Sequence, residues 1–194
     1  MELDTLKNYI TQRLQNELPT HFVYHSIEHT LDVYESACRI AENEQVSDEE
    51  MELIKTAALL HDFGYIEQAN GHEAISCHYA QQILPSYGYS NEAIEQICTM
   101  IMATRIPQSP QDKLSEILCD ADLDYLGRTD FFEIGNRLFD EFLTFQIVKN
   151  EKEWHQKQEA FLSIHQYFTT YSKTHRLAQK QINLSLVKDK LKTL

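Results

Sequence analysis

The sequence predicts an all-α fold, and three observations carry that expectation. Apolar residues recur at helical period in nearly every segment, and no stretch alternates persuasively as a half-buried strand would. Only 5 Gly and 4 Pro serve 194 residues, too few turn formers for a many-stranded sandwich. The tetrapeptide SDEE at 47–50 is a helix-opening signal, with Ser47 as N-cap and Glu50 reaching back to it.

The elements follow in chain order. Residues 2–17 place Leu3, Leu6, Ile10 and Leu14 on one stripe. Residues 25–44 carry Ile27, Leu31, Tyr34, Ala37, Cys38 and Ala41. At the head of that helix His25 and His29 stand four positions apart, so both imidazoles are expected on one face. The capping box opens the next helix, with Met51, Ile54, Ala57, Ala58 and Leu60 apolar and Gly64 as its expected stop. A helix over about 72–84 ends before Pro85, and SNEAIEQICTMIMATR begins another. IPQSP at 106–110 reads as a loop and LSEILCDADLDYL as helix. Residues 130–150, 152–171 and 174–191 are expected as the closing helices. With no repeat and no low-complexity linker, residues 1–194 read as a single domain, the part after about 150 packing on the rest.

Composition narrows the function. The hydrophobic share of 42% is that of a globular protein. A net charge of −13 without a basic stripe argues against a nucleic-acid polymer as partner, although a bound cation can still attract a small phosphorylated ligand. Cys38, Cys77, Cys98 and Cys119 form no CxxC pair, which fits neither a zinc ribbon nor a disulfide framework and suggests free thiols in a reducing cytosol. The acid-containing N-terminus does not read as a signal peptide, and no apolar run approaches a membrane span. A soluble cytoplasmic protein is the expectation.

The chemistry-bearing stretches are LLHDFG at 59–64 and DADLDYLGRTDF at 120–131. The second is not a calcium loop, because Tyr125 and Phe131 stand where Gly and Glu are needed. On a helix Asp120 and Asp124 would share a side while Asp122 points elsewhere. HEAISCH at 72–78 is not a zinc-protease motif, since Ser76 follows His72 at the fourth position. Taken in order, His29, the His61-Asp62 pair and an aspartate near 122 make a mixed nitrogen and oxygen set. Such a set suits an octahedral divalent ion and leaves positions open for water and a substrate oxygen.

This order resembles the HD superfamily of metal-dependent phosphohydrolases over roughly residues 20–145, through YHSIEHTLDV, AALLHDFGY and LCDADLDYLG. The first stretch is also similar to the YHNxxH element of cyclic nucleotide phosphodiesterases, with Ser26 where Asn is usual. The resemblance implies a compact helical bundle, with His25 as general acid and His29, His61, Asp62 and Asp122 as metal ligands. Asp62 would also orient the attacking water or take its proton. The family's Ala-Asp pattern falls on Ala121-Asp122, which selects Asp122 over Asp120, and Asp120 would then support a ligand. One divalent ion is implied (Mn, Fe, Mg, Ni, Co and Zn all fit), and a weaker second ion stays open. His72 would be a ligand of that second ion, a substrate contact or a solvated helix-start residue. Arg105 and Arg128 are candidates to neutralise phosphate charge, while His21, His78, His155, His165 and His175 read as surface or structural. The implied activity is hydrolysis of a phosphoester or phosphoanhydride of a small molecule such as a nucleotide or cyclic nucleotide. The alternatives are a nucleotide-binding regulatory module without turnover and a di-iron oxygenase on the same scaffold. A homodimer stays open.

Overall fold

The computed structural model describes residues 3–194, and among them are ten α-helices and no strand. Helix α1 (Leu3–Glu17) buries the stripe Leu6, Ile10 and Leu14. Then come α2 (Ile27–Asn43), α3 (Asp48–Leu60), α4 (His72–Ile83), α5 (Asn91–Ala103) and α6 (Lys113–Asp122). The remaining helices are α7 (Phe131–Thr144), α8 (Glu151–Ile164), α9 (Thr170–His175) and α10 (Leu177–Leu191). The expected capping box is present at α3: the Glu50 backbone N–H donates to Ser47 Oγ, and the Ser47 N–H donates to the Glu50 carboxylate.

Several boundaries depart from the sequence reading, each for a local reason. Ser26 is the N-cap of α2, so His25 lies outside the helix and not on a common helical face with His29. The buried face of α2 is His29, Thr30, Val33, Ser36, Ala37, Ile40 and Ala41, whereas Leu31, Tyr34 and Cys38 are only half-buried. Because α2 packs against both α3 and α6, the face between those two helices is covered even where its residues are polar. Gly64 does not end α3, which stops at Leu60. It sits in a 3-10 turn (Phe63–Ile66), where a Cβ would overlap the His72 carbonyl. The expected helix over 130–150 stops at Thr144, two residues before Gln146 takes a left-handed φ of 56°. That over 152–171 breaks after Ile164, because the buried Asp120 carboxylate captures the backbone N–H groups of Phe168 and Thr169. The expected 174–191 helix begins at Leu177.

Two apolar clusters result. The larger one joins α1 to α6 around residues such as Ile10, Ile40, Ile54, Leu59, Ile97 and Leu118. A smaller one joins Tyr24, Tyr125, Leu126 and Phe131 to Leu162 of α8 and Leu184 and Val187 of α10. Between them runs a 3-10 turn (Asp124–Gly127) whose buried Asp124 accepts from Arg39 of α2 and from Arg176. The candidate site opens at this seam.

Candidate metal centre and its cavity

Helix α2 delivers His29, the C-terminal end of α3 delivers His61 and Asp62, and the last turn of α6 delivers Asp122. His29 Nε2 lies 3.3 Å from Asp62 Oδ2 and 3.3 Å from Asp122 Oδ1. His61 Nε2 lies 3.2 Å and 3.6 Å from the same two oxygens. The two Nε2 atoms face each other across 3.3 Å. Ligands about 2.1 Å from one ion at near-octahedral angles stand about 3 Å apart, so the His29, His61 and Asp122 atoms, with Asp62 Oδ2 against both imidazoles, suit a single divalent ion. A second observation agrees. Asp62 Oδ2 is buried with no hydrogen-bond donor aligned to it, an expensive arrangement unless a cation belongs there. His61 Nδ1 donates to the Ala58 carbonyl at 2.9 Å, which fixes its tautomer and leaves Nε2 as the coordinating nitrogen.

Without an ion, charge collects on the imidazoles. Burial opposes protonation of His29, but the Asp122 and Asp62 carboxylates outweigh it and push the ring up to about 9. His61 is also raised well above the ordinary histidine value, the neighbouring carboxylates again overcoming burial. Burial would lift both acids, yet the two histidines hold Asp62 well below the carboxylate range and Asp122 down at about 2.

The outer oxygen of Asp62 has a different partner. His72 Nε2 lies 3.1 Å from Asp62 Oδ1, while His72 Nδ1 donates to the Ala69 carbonyl at 3.0 Å. Both nitrogens face acceptors, and the Asp62 carboxylate raises the ring's pKa although burial opposes it. Tyr65 fills the space between His72 and His25, its ring centroid 4.2 Å from each. His25 Nδ1 contacts Glu141 Oε1 at 2.5 Å, and Glu141 Oε2 accepts the backbone N–H groups of Tyr24 and His25. Burial would raise the Glu141 pKa, but its bond to His25 lowers it, so a buried carboxylate clamps the segment that carries His25. The His25 and His29 rings are 6.0 Å apart.

Above the ligands lies a cavity of about 600 Å³, lined by His25, Asp62, His72 and Asp122 together with side chains of α7 and α8. The structure therefore brings His25, His29, His61, Asp62, His72 and Asp122 together, but not the two arginines. The Arg128 guanidinium is held by Asp32 at 2.7 Å and Asp130 at 2.6 Å and does not line the cavity. Arg105 points to solvent, although its neighbours Thr104 and Ile106 do line it. Asp120 does not support a metal ligand; it accepts from Phe168 N, Thr169 N and Thr169 Oγ1 on the far side of α6. The sequence reading missed Glu141, which no motif marks in so acidic a chain, and Tyr65, which stands inside the quoted AALLHDFGY stretch.

Comparison with known proteins agrees with this geometry. Residues 26–124, just over half of the chain, match the HD domain family. An uncharacterized protein of Clostridium beijerinckii is 32% identical over 117 residues, covering 59% of this chain and 73% of its own. A crystal structure of a predicted HD superfamily hydrolase from an uncultured Thermotogales bacterium aligns over 100% of this chain and 97% of its own, with a TM-score of 0.60 and 22% identity, a likeness of fold. The family's divalent-metal chemistry suits the His29, His61 and Asp122 cluster, whose ligand atoms all lie within 4.8 Å of one another. From its matched segment, its all-α architecture and its His…His-Asp…Asp centre, the chain belongs to the HD-domain family.

Proposed function

We propose that the protein is a metal-dependent phosphohydrolase acting on a small phosphorylated molecule. The observation that carries this reading is the gathering of His29, His61 and Asp122 ligand atoms within 4.8 Å, with Asp62 Oδ2 against both histidines, at the end of a cavity where a separate histidine stands ready for proton transfer. A divalent ion held by His29, His61, Asp62 and Asp122 would supply Lewis acidity toward a phosphoryl oxygen and a bound water.

The chain's own residues do the rest. Asp62 has one oxygen in the ion site and the other on His72, so its orientation is fixed from both sides. It orients the attacking water and takes a proton from it. Glu141 holds His25 by Nδ1, leaving Nε2 as the nitrogen that protonates the leaving oxygen. The reaction balances as ester plus water giving phosphate and alcohol: the water oxygen bonds to phosphorus and the ester P–O bond breaks. His72, which lines the cavity, suits contact with a phosphoryl oxygen as well as its role on Asp62.

The test is phosphate release by manganese-loaded protein, with oxygen uptake measured alongside. His25→Ala is expected to retain its metal and lose about 10²- to 10⁴-fold in turnover of an alkyl phosphate. It should lose far less on nitrophenyl phosphate, whose leaving group needs little protonation. Equal losses on both esters would remove His25 from the acid role, and oxygen consumption without phosphate release would overturn the hydrolase reading.

A further inference from the structure

The cavity walls bear on what the phosphoryl group is attached to. Beyond the ligands and His72, the cavity is enclosed by Tyr65, Tyr125, Phe131, Phe142, Trp154 and Phe161. Among the described residues that line it, Lys157 alone is a lysine or arginine, and that side chain is exposed. The ion's two charges are balanced by Asp62 and Asp122, and Glu73 adds a further carboxylate to the wall. A polyphosphate chain needs several fixed cations or forked donors, and a sugar needs a ring of hydrogen-bonding side chains. This wall provides no set of fixed cations, and several of its polar side chains are already engaged: Thr104 Oγ1 donates to the Ile101 carbonyl and Tyr125 hydrogen-bonds Tyr24. Its one side-chain amide among the described residues, Gln158, is paired through Oε1 with His155 Nδ1 at 2.7 Å. The volume lies within the range of pockets that enclose drug-sized ligands.

Resting on the phosphohydrolase reading, we propose that the substrate is an apolar phosphomonoester, one phosphoryl group on a large hydrophobic body. The phosphoryl end meets the ion centre and His25. The body lies among the aromatic rings and reaches the mouth at Ile164, a residue that lines the cavity while remaining 76% exposed. Burying an apolar body there removes it from water at about 0.8 kcal/mol per methylene, which is about fourfold in binding for each carbon.

Two measurements test this. In the first, manganese-loaded protein is offered n-alkyl phosphates from methyl to decyl, 1-naphthyl phosphate, adenosine monophosphate, adenosine triphosphate and glucose 6-phosphate. The expected result is a kcat/KM that climbs about fourfold per carbon over the shorter alkyl chains, with nucleotides and the sugar phosphate well below octyl and naphthyl phosphate. A flat chain-length series, or preference for either nucleotide or the sugar phosphate, overturns the assignment. Ile164→Asp, a change at a position 76% exposed, should flatten the chain-length dependence, and an unaltered slope would count against the proposed path of the body.

The second measurement separates this assignment from the activity on which it rests. Trp154 is the chain's single tryptophan, so its fluorescence reports cavity occupancy. Decylphosphonate, which cannot be hydrolysed, should quench or shift it at far lower concentration than methylphosphonate. Chain-length-dependent binding with no turnover of any ester would leave the apolar site standing and sink the hydrolase reading. Turnover without chain-length dependence would do the reverse.

Discussion

Binding of the ion should expel protons, and the structure sets how many. In the ion-free protein His29 is pushed up to about 9 and His61 is raised as well, so at pH 7 His29 holds a proton where the ion must sit. With a value near 9, only about 1% of His29 is neutral at pH 7, which weakens apparent affinity about a hundredfold, or about 2.7 kcal/mol. The affinity for manganese should therefore rise about tenfold per pH unit between pH 6 and 8 from His29 alone, and more steeply as His61 also deprotonates. Titration calorimetry in Pipes and in Tris, whose ionisation enthalpies differ, reads the proton count directly and should find one to two released per ion. The stability of the ion-free protein runs the other way. A raised His29 contributes stability that is complete below its ordinary value of 6.5 and lost as pH rises through about 9. The Asp122 contribution is complete above its ordinary 3.8 and lost as pH falls through about 2. The gain in melting temperature on adding manganese should thus widen from pH 6 to pH 9. An affinity flat across pH 6 to 8, with equal heats in both buffers, would refute this account of the centre.

Three further outcomes follow from particular contacts. Glu141→Gln keeps shape but replaces a charged acceptor with an amide, so turnover should fall about 10- to 100-fold while elemental analysis finds the metal retained. Asp120→Asn and Asp122→Asn should separate cleanly: the first loses about 2 kcal/mol of stability, a melting shift of about 5 °C, and keeps its ion; the second loses the ion. Gly64→Ala would drive a methyl group into the His72 backbone, displacing α4 and loosening the His72 to Asp62 contact. It should cost about 1–3 kcal/mol in thermal unfolding and raise the concentration of manganese needed for half-saturation.

Much of this centre was legible because its residues belong to short, ordered stretches. A His-Asp pair at the end of an apolar helix and an aspartate two residues from another can be read from spacing, and the Ala-Asp register that favours Asp122 agrees with the observed contacts. What spacing cannot supply is contact over long separations. Glu141 meets His25 across 116 positions, and no local pattern distinguishes it from the exposed acids of the same helix. Arg128 lies close in sequence to the last ligand, yet two nearby aspartates hold its guanidinium. The closing helices were misjudged in extent for the same reason. Periodicity runs on through 165–169, but a carboxylate from a distant helix claims those backbone donors.

The bond from Asp120 to Phe168 and Thr169 also bears on how small a working version of this protein can be. Trimmed to the 26–124 segment that matches the family, the chain would keep all four ligands and lose what surrounds them. Asp120 would be left without Phe168 and Thr169, His25 and its Glu141 partner would both be gone, and Asp124 would lose Arg176. The aromatic wall from α7 and α8 would be gone. Such a fragment would carry the motif without the enclosure, so a minimal unit has to run at least through the Arg176 that closes on Asp124.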